Sequence, residues 1–202
     1  MNYNLNHYYS VNKNLTPKLI SSPKRYKHPS INPRGLEWIT LKQNDFENFK
    51  EKFPYKISSN SGIKKTPFYF LNRYLKHPFY LYRVYLIPDP NQKEAALISI
   101  RMDKRKNSKV LRIVDYYGDI EILNHAGYGL KNIVEDFCIE YIDFWSFGIP
   151  DRIMKNFGFK TVEFQKNVTV PNYFEPFENK NTKILFAYKN IKNLKNEFMI
   201  FK

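Results

Sequence analysis

The stretch Val110–Phe159, VLRIVDYYGDIEILNHAGYGLKNIVEDFCIEYIDFWSFGIPDRIMKNFGF, decides the fold of this chain. It predicts, in order, a strand, a glycine-bearing turn or helix start, a long amphipathic helix, a second strand, a short helix and an Asn-Phe-Gly-Phe turn. Strand, helix and strand in this order predict a βαβ unit, in which a crossover helix joins two parallel strands. Nucleotide-like ligands usually bind at such units.

The residues before this stretch predict an antiparallel meander that leads into the βαβ unit. Aromatic and aliphatic residues alternate over Phe79–Ile87, and Ala95–Arg101 returns after a proline-rich turn. Upstream, Thr66 and Pro67 predict the start of a helix. Further strands are predicted over Phe159–Phe164 and Ile184–Lys189. The fold class is therefore predicted as α/β with a mixed sheet.

Composition divides the chain into an arm, a domain and a tail. Residues 1–35 are rich in Pro, Asn, Ser and Lys and predict an arm or linker with one strand near Pro17–Ile20. The domain is predicted over residues 36–190 and a loose tail over 191–202. The order Asn6-His-Tyr-Tyr echoes Asn172-Tyr-Phe, which indicates either the remnant of a first copy of the domain or chance similarity in an Asn- and Tyr-rich chain.

The composition limits the classes of partner and of site. The chain has 202 residues, is 43% hydrophobic and 17% aromatic, and can therefore form a core. Cys138 is the single cysteine, so an internal disulfide and a Cys-rich metal site are excluded, and no metal site is expected. The net charge of +14 favours nucleic acid, an acidic membrane surface or a phosphorylated cofactor, although it is also typical of solvated lysines spread over a surface.

Targeting signals are not evident in the sequence. No apolar run approaches the roughly 18 residues that a membrane-spanning helix needs. The first ten residues are polar and aromatic and lack the apolar core of a signal peptide. We expect a cytoplasmic protein without a membrane span.

Three features resemble the GNAT superfamily of acyl-CoA-dependent N-acyltransferases. Asn124-His-Ala-Gly-Tyr-Gly129 is similar to the pyrophosphate loop of that family, and Asn156-Phe-Gly-Phe159 is similar to its Leu-Gly-Phe turn. The strand–helix–strand order between them is the third feature. LNRYLKHPFYLYRVYLI, LRIVDYYGD, EYIDFW and VPNYFEPF further resemble the C-terminal half of two-copy GNAT-like proteins of bacterial polysaccharide biosynthesis, over residues 36–190.

The resemblance implies acetyl-CoA or another acyl-CoA as co-substrate. Glycines allow backbone N–H groups to approach a phosphate, and a helix N-terminus adds a favourable dipole. The acyl-CoA-binding residues predicted in this way are Tyr116, Tyr117, Asn124, Gly127, Tyr128 and Gly129.

The same glycines also fit a packed helix. Apolar residues from Ile120 to Tyr141 follow a single helical stripe that includes Gly127. Asp119 could then cap a helix that begins there, which would leave Gly127 as a close-packing position. Both interpretations of the Asn124–Gly129 stretch remain open at the level of the sequence.

Asp115 is the predicted catalytic base. On its strand it alternates with Leu111, Ile113 and Tyr117, which predicts that it faces the covered side of the sheet. Desolvation there would make the carboxylate a stronger proton acceptor, which suits a base. Asp143 on the next strand could lie nearby. The alternative is that both carboxylates bind loop backbone at the strand ends.

Tyr173 and Glu175 form a second candidate catalytic pair. Pro171 and Pro176 stiffen their loop and could hold both side chains at the mouth of a pocket. The alternative is that the aromatic residues of this loop fill the core.

The resemblance implies transfer of an acyl group to an amine, with an amino sugar or a nucleotide-linked amino sugar as the acceptor. Met154 and Phe147 stand where the family has a thiolate-protonating Tyr and an Asn. These differences favour an alternative function, a catalytically degenerate GNAT-like module that serves as a partner-binding or structural subunit. A homodimer is the candidate oligomer. Nucleic-acid binding is the third hypothesis and is not favoured, because the basic clusters KRKNSK and KRYKH are short.

Overall fold

The computed structural model describes residues 2–59, 64–105, 107–163, 167–171, 178–187 and 199–200. Its strands are β1 (Asn2–Asn4), β2 (Asn6–Val11), β3 (Ile39–Leu41), β4 (Tyr82–Pro88), β5 (Ala95–Arg105), β6 (Ser108–Tyr117), β7 (Ile139–Phe147), β8 (Lys160–Thr161), β9 (Leu185–Ala187) and β10 (Met199–Ile200). Its helices are α1 (Phe49–Lys52), α2 (Pro67–Phe70), α3 (Gly127–Asp136) and α4 (Asp151–Phe157), with 3-10 segments at Gln43–Phe46 and Ile120–His125. A π-type segment, Leu71–Leu75, continues α2.

Seven strands form one mixed sheet in the order β3-β4-β5-β6-β7-β2-β8. The neighbours β6 and β7 are parallel and are joined by α3, while the other neighbours in this order pair antiparallel. β10 pairs with β7 outside this order, and β1 pairs with β9 in a separate two-stranded sheet. The predicted mixed α/β class, the meander and the βαβ unit are therefore present.

Apolar side chains cover both faces of the sheet. On one face, which we call the helical face, α3 and α4 pack on β5, β6 and β7 through residues such as Leu130, Ile153 and Phe157. On the opposite face α1, α2 and the π-type segment cover β4 and β5, with Phe70 and Tyr74 in the centre. A third cluster on that opposite face lies over β2, β6 and β7. Successive residues of a strand point to opposite faces, and both faces are covered. A charged side chain inside these strands is therefore buried beneath one of the apolar layers.

The predicted division between an arm and a domain at residue 36 does not appear in the fold. β2 lies inside the sheet, between β7 and β8, and Tyr8 and Tyr9 are fully buried. The carboxylate of Glu140 accepts hydrogen bonds from the backbone N–H groups of Lys18 and Leu19, at 2.8 and 2.7 Å. No strand forms at Pro17–Ile20. Residues 2–35 are thus part of the same folded unit as residues 36–163.

The helix after β6 is divided in two. Asp119 caps the 3-10 segment Ile120–His125 by accepting from the N–H of Glu121, as the packed-helix interpretation predicts. α3 then begins at Gly127, and Tyr141 lies in β7 rather than on the helical stripe. At the end of α4, Gly158 has a φ of +95°, a left-handed conformation that ends a helix readily only at glycine.

The start of α2 agrees with its sequence. Thr66 accepts a hydrogen bond from the N–H of Tyr69 at 3.2 Å, and Pro67 occupies the first helical position. In the described part of the chain, no helix has the length and apolar character needed to cross a bilayer.

Candidate functional site

A β-bulge in β6 sets the direction of Asp115. Ser99 pairs with Asp115 and Ile100 pairs with Ile113, so that Val114 is an extra residue on β6. Bulges of this kind redirect a side chain and are enriched next to active sites. The prediction that Asp115 shares a face with Leu111 and Ile113 is therefore wrong: these two residues belong to the helical face, while Asp115 points to the opposite face.

Asp115 is buried, and both oxygens of its carboxylate have partners. Its side chain forms an ion pair with Nζ of Lys65 and accepts a hydrogen bond from the hydroxyl of Tyr74 at 2.7 Å. The N–H of Tyr116 donates to the same carboxylate at 2.8 Å. Burial, together with the charge of Asp115, raises the pKa of Tyr74 well above its ordinary value, so Tyr74 keeps its proton and donates it. We call Lys65, Tyr74 and Asp115 the Asp115 cluster.

Asp143 forms a second buried cluster on the same face. Its carboxylate lies 2.5 Å from Nε2 of His7 and 3.1 Å from Nε of Arg112, and all three residues are buried. The His7 ring stacks on Trp145 at 4.1 Å between centroids. Burial alone would raise the pKa of Asp143, but His7 and Arg112 outweigh it and hold that pKa below its usual value. We call His7, Arg112 and Asp143 the Asp143 cluster.

In the described part of the chain, the backbone donor to Asp115 is Tyr116, which lies within β6 and not in a loop. The alternative interpretation, that both carboxylates bind loop backbone, finds no support among these residues. The charged partners of the two carboxylates are Lys65 for Asp115 and Arg112 for Asp143, and both come from other parts of the chain. Chemically, each carboxylate is arranged to hold a cation. Asp115 already holds a primary ammonium, the group that the acceptor of an N-acyltransferase carries. The exposed fraction of Asp115 is 2%, so it can accept a proton from an external amine only if Lys65 moves.

The parallel strands β6 and β7 separate just before Asp115. Their pairing runs from Lys109 and Ile139 to Ile113 and Phe144 and stops there, although both strands continue. β10 pairs with Ser146 and Phe147 of β7, and its Cα atoms approach within 8 Å of β6. Because β2 occupies the other edge of β7 at the same position, β10 lies on the β6 side. The chain thus fills part of its own interstrand gap.

The N-terminus of α3 is covered by residues 32–38. The N–H of Tyr128 donates to the carbonyl of Arg34 at 2.9 Å. A Cβ at Gly127 would lie 1.7 Å from the carbonyl oxygen of Asn32, and one at Gly129 would lie 2.2 Å from the ring of Trp38. The indole N–H of Trp38 in turn donates to the carbonyl of Ala126 at 2.9 Å. Both glycines are close-packing positions in this structure.

The surroundings of Asn124 are acidic. A cavity of about 380 Å³ beside it is lined by the four carboxylates of Asp89, Glu94, Asp119 and Glu121. The amide of Asn124 donates to Glu121 at 2.8 Å and its oxygen accepts from Asn156 at 3.0 Å. Carboxylates repel phosphate, so this cavity does not match the diphosphate of an acyl-CoA.

The remaining predicted site residues are spread over several places. Tyr116 is buried, and its hydroxyl donates to the carbonyl of Asp119 at 2.6 Å. Tyr117 packs at the edge of the cluster around Tyr74, and Tyr128 is exposed. Acyl-CoA binding by these residues stays a prediction. Tyr173 and Glu175 lie outside the described residues, as does the 172–177 half of the internal repeat.

A separate cleft of about 520 Å³ lies between α4 and the strands β2 and β8. Met154 and Phe159 form part of its wall, and the hydroxyl of Tyr8 donates to Asp151 at 2.8 Å beside it. Met154 offers only a thioether, which has no proton to donate. The cleft can accept an apolar group. Its carboxylate–amine pair, Lys160 and Glu163 at 2.7 Å, is partly exposed to solvent, unlike the buried Asp115.

Sequence reasoning missed Lys65, Tyr74, His7 and Arg112. A local signal existed for Arg112 alone, because a charged residue inside the apolar strand VLRIVD requires a buried partner. Lys65 and His7 lie 50 and 136 residues from the carboxylates that they bind, and no spacing rule connects them. Among the described residues no cluster of His, Cys, Asp and Glu could hold a metal ion.

Comparisons with known proteins do not assign the chain to a family. No protein-family model matches the sequence, and a search of curated proteins finds no significant match. The geometry of the α3 N-terminus, of the gap between β6 and β7 and of the Asp115 cluster is therefore the basis for a proposed function.

Proposed function

We propose that the chain is a GNAT-like module that does not transfer acyl groups and serves as a partner-binding or structural subunit. The observation that carries the proposal is the occupied N-terminus of α3. Its Tyr128 N–H is bonded to Arg34, and Asn32 and Trp38 fill the space next to the two glycines. In an acyltransferase of the family this helix end would have to be open to a diphosphate.

Two further contacts support the same proposal. β10 lies in the gap between β6 and β7, where the family resemblance would place the pantetheine arm of an acyl-CoA. Lys65 forms an ion pair with Asp115, the predicted base. Groups of the chain itself thus occupy all three positions that acyl transfer would require.

Ligand binding tests the proposal directly. A ligand that binds the native state raises the free energy of unfolding by about 2.7 kcal/mol at a concentration of 100 times Kd. We expect no saturable rise in Tm with acetyl-CoA or with longer acyl-CoAs, and no release of free thiol when amino sugars or nucleotide-linked amino sugars are added. A saturable rise in Tm with any acyl-CoA would contradict the proposal.

A second candidate function is N-acyl transfer to an amino sugar, favoured by the ammonium that Asp115 already holds. In that case Lys65 occupies the place of the acceptor amine and must leave before reaction, after which Asp115 would remove a proton from the acceptor. Release of free thiol by the wild type, and its loss in a folded Asp115→Asn variant, would establish this function in place of the first. Asp136→Asn, which changes an exposed carboxylate at the C-terminal end of α3, is the matched control.

A further inference from the structure

The segment His77–Leu81, between the π-type segment and β4, carries the most exposed large apolar side chains in the described part of the chain. The exposed fraction is 87% for Phe79 and 82% for Leu81, and the ring of Tyr80 is also exposed. Side chains exposed to this degree project from a convex surface. Exposed apolar groups gathered in one short segment indicate an interaction site.

The segment has a fixed conformation. Nδ1 of His77 accepts hydrogen bonds from the N–H groups of Phe79 and Tyr80, at 3.2 and 3.0 Å. The ring of Tyr80 lies under the guanidinium of Arg101, with 4.7 Å from the guanidinium carbon to the ring centroid. Tyr82, the first residue of β4, is buried. Phe79 and Leu81 are therefore held outward by the fold, so little ordering entropy remains to be lost on binding.

Along the chain, the charged residues on both sides of this segment have a single sign. Asp103, which lies near Tyr80, is paired with Arg101 at 2.9 Å. The sequence from Lys52 to Pro88 contains seven Lys and Arg residues and no Asp or Glu. Arg73 and Lys76, which directly precede the segment, are exposed. Exposed apolar tips next to basic residues are the combination that binds anionic lipid headgroups, with the tips inserted at the boundary of the acyl chains.

We propose that Phe79 and Leu81, with Arg73 and Lys76, form a docking surface for an anionic lipid bilayer. A convex apolar tip fits a bilayer, which deforms around it, whereas a protein partner would have to provide a matching pocket. Nucleic acid is a weaker match because the aliphatic side chain of Leu81 has no aromatic face on which a base can stack. The surface lies apart from the covered end of α3, so the proposal does not depend on whether the chain binds acyl-CoA.

Vesicle flotation with the full chain tests the proposal. We expect binding to phosphatidylcholine vesicles that contain phosphatidylserine and little binding to phosphatidylcholine alone. Phe79→Ser with Leu81→Ser should weaken binding about tenfold or more, because each loses an inserted apolar side chain. Arg73→Gln with Lys76→Gln should weaken it by a similar factor and reduce the dependence on salt. Leu185→Ser, another exposed leucine on a distant strand, is the matched control and should bind as the wild type does.

Several outcomes would overturn the proposal. One is the lack of binding to vesicles that contain phosphatidylserine. Another is binding that the Phe79 and Leu81 variant retains in full, since charge alone would then account for it. Binding of single-stranded nucleic acid, lost on substitution of the same residues, would assign the surface to that partner instead. Equal Tm values for the variants and the wild type exclude unfolding as the cause of any loss, because all four side chains are exposed.

Discussion

The two faces of the central sheet are stabilised in different ways. The helical face is a continuous apolar layer in which α3 and α4 pack on β5, β6 and β7. The opposite face contains the Asp115 and Asp143 clusters between its two apolar patches. The stability of the helical face depends on how well its side chains fit together, because protein interiors are close-packed. The stability of the opposite face depends on charge pairing, because a buried charge is tolerated only with a partner. The Asp115 and Asp143 clusters both lie on the opposite face.

Substitution of Asp143 should give the largest effect. Asp143→Asn leaves Arg112 buried without its counter-charge, and breaking a buried ion pair in this way costs about 3–5 kcal/mol. Chemical denaturation at neutral pH measures the difference in the free energy of unfolding. A loss well below 1 kcal/mol would mean that this face does not depend on charge pairing.

The pH dependence provides a control for that prediction. The pKa of Asp143 is lower in the folded protein than in the unfolded chain, so its contribution is complete above the unfolded value of about 3.9. That contribution is lost as pH falls through the folded pKa. The difference in stability between the wild type and Asp143→Asn should therefore become smaller in acid. A constant difference across this range would assign the loss to packing.

The stability of the helical face should depend on side-chain volume and not on charge. Gly129→Ala would place a Cβ 2.2 Å from the ring of Trp38 and 2.6 Å from its backbone nitrogen. We expect a loss of about 2–3 kcal/mol, since overpacking a close contact destabilises even though alanine favours a helix over glycine. Asn132 is a half-buried polar residue of the same helix that hydrogen-bonds Glu37. Denaturation of Gly129→Ala beside Asn132→Ala separates the packing effect from the effect of helix propensity. An increase in stability would show that the α3 N-terminus is open.

The Asp115 cluster should show a smaller effect because Lys65 keeps some contact with solvent. The exposed fraction of the Lys65 side chain is 17%, against 3% for Asp115. Lys65→Met leaves the carboxylate with the hydroxyls of Tyr74 and Tyr69 and a backbone N–H but no cation, and we expect a loss of about 2 kcal/mol. Asp115→Asn should cost less, since Lys65 can turn to solvent. The opposite order of the two variants would contradict the proposed geometry.

The smallest effect is expected at the start of α2. Thr66→Ala removes the cap that accepts from the N–H of Tyr69, which costs about 1 kcal/mol. Thr66→Ser retains the hydroxyl and should match the wild type. A larger loss would show that the position of Lys65, the preceding residue, depends on this cap, and would couple the helix to the Asp115 cluster.

The sequence predicted individual strands and helices better than the order of the strands in the sheet. Alternation over Phe79–Ile87 and the Thr66-Pro67 pair are local signals, and they correctly indicated the strand and the helix start. The position of β2 was missed because Asn6-His-Tyr-Tyr reads as polar, whereas a central strand usually reads as continuously apolar. The two strands that pair with it, β7 and β8, lie more than a hundred positions away, and no local pattern predicts such a pairing.

The candidate site was predicted only in part. Asp115 was identified as a buried carboxylate, but its face was wrong because the bulge at Val114 shifts the alternation by one residue. The glycines of Asn124–Gly129 fitted two interpretations, since close packing and phosphate binding require the same small residue. Only the position of Asn32 and Trp38 in space distinguishes them here.

The central position of β2 has a consequence for how the protein folds during synthesis. His7 and Asp143 are 136 residues apart in the chain, yet they lie on neighbouring strands. At the usual elongation rate of about 5–20 residues per second, β2 waits roughly 7–27 s on the ribosome for β7 to be made. Until then its two buried tyrosines and both strand edges are open to other chains. Such non-local pairing slows folding, so we expect this protein to need chaperones more than its size alone suggests.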